Sequence, residues 1–376
     1  MTLIDQLERA GLTGRGGAAF KTAIKVHAAH VNGARFIVNA CDGEIGAAKD
    51  AHVVTHHLDE LVRGAGLVSG RGVRYAAHRG SAAAHALHAA GLDVLEVPDR
   101  YVSSEESALV SAAAGAPARP LTKRVPIAYG AALPDGTRLP ATVVLNTETV
   151  WRIAQIDAFG VDWFRSFGTP AEPGPRLVSV TGAVRAPGVV AASAGMSLTT
   201  VLDAAGGPAG GSGAVGISGL SGGWLTADEA TSVRWANRDL RQFGLSTGAS
   251  VLHVIGADEC PLMTIRSWLT YAAGESAGQC GPCMFGVPAA VADLIAIIDG
   301  RAARARATRL RERIALLSGR GACHFPDGIA TFIRSVLRAF PEFLADHARG
   351  TCPAGTCGAV ERRTQTERRS HVAAAR

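Results

Sequence analysis

Between residues 34 and 97, three short apolar runs are separated by stretches with helical spacing. Ala34–Ala40 (ARFIVNA), Val73–Ala77 and Leu92–Val97 read as buried strands, and His52–Val68 and Ser81–Ala90 read as helices. Alternation of this kind needs crossover connections. It therefore predicts a parallel α/β sheet covered by helices, with ligand loops at the carboxyl ends of its strands. A further strand is expected at Ala141–Leu145, running into a helix from about Glu148. Residues 1–167 are read as one Rossmann-like α/β domain.

The pattern breaks at Gly168–Pro175 (GTPAEPGP), which has the composition of a linker. Short strands and turns follow over residues 176–256. Arg176–Thr181 is a strand, Ala186-Pro187-Gly188 a turn, Ser197–Ala205 a short helix halted by Gly206-Gly207, and Ser250–Ile255 a closing strand. After Cys260 the chain turns helical. Leu262–Ala273, Val287–Ile298, Ala303–Leu317 and Gly328–Phe340 predict a helical bundle over 260–350, with 351–376 as a tail. The length, 376 residues, agrees with several cores rather than one.

Composition narrows the functional classes. Hydrophobic residues make up 47% and charged residues 19%, which excludes a mainly disordered chain. The net charge is +6, but the tail Glu361–Arg376 holds five arginines against two glutamates, so half of the excess lies there. No basic face with interleaved aromatics remains for nucleic acid. Asp5, Glu8 and Arg9 interrupt any secretory signal. The longest uncharged stretch, Ala204–Ala227, is too rich in Gly and Ser to span a membrane. Seven cysteines in a chain without an export signal point to a reducing, cytoplasmic setting, where metal or cluster ligation outranks disulfides.

Five motifs can carry chemistry. Gly11–Phe20 (GLTGRGGAAF) leads into a helix containing Lys25, an arrangement that brings backbone N–H groups and a cation to a phosphate. The chain has only four lysines, Lys21, Lys25, Lys49 and Lys123, and three of them fall in or beside candidate ligand loops. Asn39–Asp50 (NACDGEIGAAKD) follows the first strand and offers groups for sugar hydroxyls and ring edges. Tyr101–Leu109 (YVSSEESAL) places Glu105 and Glu106 at a helix start. Glu275–Cys283 (ESAGQCGPC), with Cys323 further on, resembles half of an iron–sulfur or zinc site. Finally, His347, Cys352 and Cys357 can hold zinc, with Cys260 as a fourth ligand. His56 and His57 read as ordinary helix residues.

In order and spacing these motifs resemble the NADH-oxidising flavoprotein subunit of respiratory complex I and of related NADH-dependent hydrogenases and formate dehydrogenases. That family carries G-R-G-G-A-G-F…K, N-A-D-E-x-E-P-G-T-x-K-D, Y-x-C-G-E-E-T-A-L, P-T-V-V-N-N-V-E-T, a soluble-ligand-binding β-grasp (SLBB) module and E-S-C-G-x-C-x-P-C with a distant cysteine. The resemblance runs from Gly11 to Cys357. It implies an FMN-binding α/β domain, a β-grasp module and a helical iron–sulfur domain. By resemblance, Gly14, Arg15, Gly16, Gly17, Lys25, Asn39, Asp42, Glu105, Asn146 and Thr149 hold FMN, and Phe20, Glu44, Tyr101 and Glu106 meet NADH. No side chain need act as acid or base, since the flavin carries the chemistry. Cys280, Cys283 and Cys323 fall at iron–sulfur positions. The implied partner is a ferredoxin-like or membrane-bound redox subunit within a hetero-oligomer, cytoplasmic or peripheral to the inner membrane face.

Departures cluster at these sites. Ala19 and Ser104 replace glycines, Cys41 an aspartate, Ile45 a proline and Leu145 an asparagine. Ala277 stands at the first cysteine position. Three outcomes compete there: a 3Fe–4S cluster, a 4Fe–4S cluster with a non-cysteine ligand such as water, substrate or His324, or no cluster. A non-catalytic scaffold that keeps the fold and zinc is the alternative function. A third reading makes the β-grasp module the working part.

Overall fold

The computed structural model describes residues 1–357 apart from 70, 71, 123, 124, 134, 302 and 356. The basic tail Glu361–Arg376 lies outside the described residues. The chain opens with α1 (Leu3–Ala10) and α2 (Thr22–Asn32), then β1 (Arg35–Asn39), α3 (Lys49–His56), α4 (Leu58–Val68), β2 (Val73–His78), α5 (Ala82–Ala89) and β3 (Val94–Val97). Next come α6 (Glu106–Ala113), a small hairpin of β4 (Ala131–Ala132) and β5 (Arg138–Leu139), β6 (Thr142–Asn146) and α7 (Thr147–Arg165). The four longer strands form a parallel sheet in the order β3-β2-β1-β6. Their continuous apolar runs bury both faces, as helix-covered parallel strands require.

The helix expected over His52–Val68 is two helices. His57 breaks it, at φ −136° and ψ 31°, and its ring stacks on Trp151 with centroids 4.3 Å apart. Tertiary packing here overrides helix propensity. Gly64 lets α4 lie against α7, because a Cβ there would stand 2.2 Å from the Val150 carbonyl oxygen.

A second sheet is built from β7 (Pro175–Gly182), β8 (Gly188–Ser193), β9 (Ser212–Ile217), β10 (Gly223–Thr226) and β11 (Val251–Gly256), in the order β10-β9-β11-β7-β8. Only the β11–β7 pair is parallel. Helices α8 (Leu198–Asp203), α9 (Ala227–Ser232) and α10 (Asn237–Leu240) accompany this sheet, and Leu198, Val201, Leu202, Ala230 and Leu240 enter its core.

Five helices follow: α11 (Pro261–Gly274), α12 (Val287–Ile298), α13 (Ala303–Leu317), α14 (Phe325–Ala339) and α15 (Pro341–Arg349). The sequence pattern anticipates four. Pro341, which ends α14, also opens α15 at a position where proline's missing N–H costs nothing. One apolar core joins these helices to the second sheet. Its anchor is Trp224 of β10, fully buried among Trp268, Phe332 and Phe340 at centroid distances of 5.3, 6.1 and 6.2 Å. The Trp224 amide donates to Ser335 Oγ on α14, and Arg338 donates to its carbonyl. Among the described residues, no helix is long and apolar enough to cross a membrane.

Replacing Trp224 removes a large ring from this shared core. Trp224→Ala is expected to cost about 3–5 kcal/mol, read as a lower urea midpoint with an unchanged slope.

Candidate cofactor and metal sites

The first sheet reverses its strand order between β1 and β6, the position at which α/β sheets bind ligands at their carboxyl ends. Asn39 and Asn146 end these strands in register with one another. Asn146 caps α7 by accepting from the Glu148 amide, accepts from Lys49 Nζ at 2.9 Å and donates to Asp50 at 2.6 Å. Asn39 donates to the Ser104 carbonyl at 2.9 Å and accepts from the Cys41 amide.

The glycine turn closes over this end of the sheet. The Gly14 amide donates to the Phe20 carbonyl, and the Arg15 amide to Thr149 Oγ1 at 2.8 Å. A Cβ on Gly16 would press on Asn146 at 3.3 Å. The amides of Gly16–Ala19 serve no helix or strand, and Gly16, Ala18 and Ala19 are exposed. Lys25 Nζ binds Glu106 at 2.6 Å and the Val144 carbonyl at 3.2 Å. The Arg15 side chain, in contrast, turns away from the crevice. It is buried, donates to the Pro173 and Pro175 carbonyls and lies against Phe164, so only its backbone faces the turn.

Around this rim, Asp42 caps α3, accepting from the Asp50 and Ala51 amides, and Glu105 caps α6 in the same manner. Glu44 accepts from Tyr101 Oη at 2.7 Å and from the Leu220, Ser221 and Ile45 amides. Phe20 is 48% exposed at the edge. The exposed turn and ammonium suit a phosphate monoester, and the two asparagines at the switch point suit the polar edge of a ring. On this donor set the residues fit FMN.

Two departures intrude on the crevice. Ala19 holds φ +48°, a left-handed conformation that costs a residue with a Cβ about 1–2 kcal/mol. Ser104 fills the space beside Gly43, where a Cβ would meet its Oγ at 2.0 Å. Lys49, which the sequence motif contains without a role of its own, is 2% exposed and paired with Asp50 at 2.7 Å and with Glu148 at 3.6 Å. Its rarity as one of four lysines was the available signal.

Cys280 and Cys283 lie on one turn that runs into a π-helical segment, Pro282–Gly286, a form frequent at functional sites. Burial raises the Cys283 thiol, Cys280 adds to the rise, and the Ser276 hydroxyl and Ala277 amide oppose it. Cys323, before α14, accepts from the Phe325 amide, and burial pushes its thiol up to about 11, with Glu105, Cys283 and Cys280 adding to the rise. The three cysteines and Ala277 pack into one apolar core, with Cys323 toward Glu105. Ala277 supplies no fourth, so the residues suit a cluster held by three thiolates and not one held by four. His324 does not replace it: its side chain is fully exposed and pairs with Asp327.

The structure also brings Cys260, His347, Cys352 and Cys357 together, with ligand atoms all within 4.8 Å of one another. His347 Nε2 lies 3.5 Å from the sulfurs of Cys260 and Cys357. Its Nδ1 is 2.9 Å from the Ile298 carbonyl, which fixes the ring with Nε2 toward the thiols. Three thiolates and an imidazole make a tetrahedral zinc donor set.

Comparison with known proteins agrees with this geometry. Residues 7–155 match the Nuo51 FMN-binding domain, and residues 263–347 match the NADH-ubiquinone oxidoreductase-F iron–sulfur binding region. The chain is similar to F subunits of NADH-quinone oxidoreductases and to a subunit of an NADP-reducing hydrogenase. It is 28% identical to the F-type subunit of NADH-quinone oxidoreductase from Mycobacterium bovis, over 93% of this chain and 86% of that protein. It is 26% identical to the NADP-reducing hydrogenase subunit HndC of Solidesulfovibrio fructosivorans, over 95% and 78%. Among solved structures it superposes on a NAD+-reducing [NiFe]-hydrogenase with a TM-score of 0.81 and 29% identity, covering 92% of this chain and 62% of that one. The chain therefore spans less than two thirds of the hydrogenase chain.

Burial and the neighbouring Asp50 raise Asp42 to about 7, against the pull of Lys49 and two amides. Asp50 and Glu44 rise for the same first reason. A carboxyl raised in the fold stabilises while it is protonated, and that contribution is lost as pH climbs from the ordinary value of 3.8 through about 7. The melting temperature is therefore expected to fall between about pH 5 and pH 7, by roughly a few degrees. Asp42→Asn, which tolerates the same left-handed backbone, should flatten the slope in thermal melts across that range.

Proposed function

We propose that this chain is the NADH-oxidising flavoprotein subunit of a larger redox assembly, taking hydride from NADH and passing single electrons to a partner redox protein. The observation that carries the reading is adjacency: Tyr101, on the rim of the crevice between Asn39 and Asn146, packs on Phe325 with centroids 5.2 Å apart, and Cys323, two residues before Phe325, senses Glu105, Cys283 and Cys280. FMN, when bound, supplies the change from two-electron to one-electron chemistry. The protein's part is to bind and orient. The turn Gly14–Gly17 and Lys25 take the phosphate, while Asn39, Asp42, Glu105, Asn146 and Thr149 set the floor and edge. Phe20 and Glu106 flank the entrance for the nicotinamide nucleotide. Glu44 and Tyr101, bonded to each other, form its inner wall.

In this reading residues 1–167 form the FMN and NADH domain, and residues 260–350 a helical bundle for the cluster. Residues 176–256 form an SLBB-type β-grasp module, in keeping with the central parallel pair β7–β11 in a mixed sheet. The partner is a ferredoxin-like or membrane-bound subunit, and the assembly sits in the cytoplasm, at the membrane face where the partner is membrane-bound. The residue set Cys260, His347, Cys352 and Cys357 holds a structural zinc that ties the end of the chain to α11 and α12.

Two measurements test this reading. Anaerobic addition of FMN should give a bound flavin spectrum that NADH bleaches, and Lys25→Ala should weaken FMN binding about tenfold or more. Protein that stays colourless with FMN but carries zinc would instead be a scaffold. Zinc content near one per chain is expected, and Cys357→Ser or a strong chelator should lower the melting temperature by several degrees.

A further inference from the structure

Position 277 is where four-thiolate ligation fails, and its surroundings decide what replaces it. The polar side chains nearby are already engaged. Glu105 caps α6, Glu275 accepts from Arg100 and the Tyr101 amide, and Tyr101 Oη donates to Glu44. Ser276 Oγ donates to the Cys283 carbonyl and accepts from the Gly278 amide. His324 faces solvent. Each of these groups thus already has a protein partner.

Ala277 is half-buried and packs against the same apolar core as Cys280, Cys283 and Cys323, while its neighbours Gly278 and Gln279 are exposed. A Cβ built on Gly274, Gly278 or Gly281 would meet nothing within 4 Å, so the turn has solvent on that side. No larger side chain has taken the place of the missing ligand: a methyl group stands there, one residue from solvent.

We infer that this chain binds a four-iron cluster through Cys280, Cys283 and Cys323, with one iron, facing Ala277, exchangeable and open to a small thiolate from solution. The inference rests on the flavoprotein reading for its place in the electron path, but on the thiol geometry alone for its chemistry. An iron without a protein ligand is the one lost on oxidation. A one-electron oxidant such as ferricyanide would convert [4Fe–4S]2+ into [3Fe–4S]+ with release of one Fe2+, and reduction with added Fe2+ would reverse this. The open corner would place electron exit under the control of a small ligand, an arrangement that four cysteines preclude.

The test uses the full chain reconstituted anaerobically with iron and sulfide, followed by iron analysis and electron paramagnetic resonance, without reference to NADH turnover. Expected are about four irons per chain, loss of about one on ferricyanide treatment with appearance of the three-iron signal, and recovery with dithionite and Fe2+. Added 2-mercaptoethanol should shift the spectrum of the reduced four-iron form. Ala277→Cys should hold all four irons through the same oxidation and show no thiol effect. Three outcomes would overturn the inference: no iron in protein that binds FMN, which leaves the flavin reading intact; a three-iron form that takes up no Fe2+; or a four-iron form indifferent to ferricyanide and thiol. Failure of flavin binding with the iron behaviour as expected would instead sink the flavoprotein reading alone.

Discussion

A single carboxylate joins the three parts of this molecule. Glu44, from the loop after β1, receives the Tyr101 hydroxyl, which belongs to the loop after β3, and the Leu220 and Ser221 amides of the turn between β9 and β10. Tyr101 in turn packs on Phe325 at the start of α14, with centroids 5.2 Å apart. Burial raises the carboxyl, and four donors oppose that rise, so the group is held in place by hydrogen bonds made to it from separate segments. The flavin-side loops, the second sheet and the thiol-bearing helices are consequently positioned by one another. A shift at any one of them would change the distance between the crevice and the sulfurs, on which electron transfer depends.

Much of this was legible in the residues. ARFIVNA could only be a strand buried on both faces, and its place next to helical patterns gave a parallel sheet; the switch point then followed from topology. The zinc-type cluster was legible too, although Cys260 and His347 are 87 residues apart, because a histidine and three cysteines at ligand-like spacing match a zinc donor set. What sequence could not give were properties of packing. The break at His57 arises from stacking on Trp151, a residue almost a hundred positions away. The Arg15 side chain turns inward because Pro173, Pro175 and Phe164 form a niche for it, which no local pattern announces. Lys49, Asp50, Asn146 and Glu148 form a network only once β1 and β6 are neighbours.

The departures sort by the kind of room they occupy. Leu145 is buried in the core of the first sheet and Cys41 in the apolar layer on its other face, so both trade polar groups for packing where no ligand can reach. Ala19 and Ser104 lie on the crevice itself, one straining the phosphate turn and the other narrowing the space beside Gly43. Ala19's strain is a cost of the folded state, whereas Ser104 acts by filling space beside Gly43.

Ala277 belongs to neither group. A core substitution would have been compensated by neighbours moving in, and a ligand substitution by another donor taking its place. Here a half-buried methyl group stands in the same core as Cys280, Cys283 and Cys323, with exposed Gly278 and Gln279 beside it. Cys283 is 2% exposed, and Cys283 and Cys280 both lie near enough to Cys323 to push its thiol up. Buried thiols packed this closely raise one another's pKa. A shared metal cluster of the kind proposed above would account for that proximity, and the methyl group of Ala277 would then mark its chemically distinct corner.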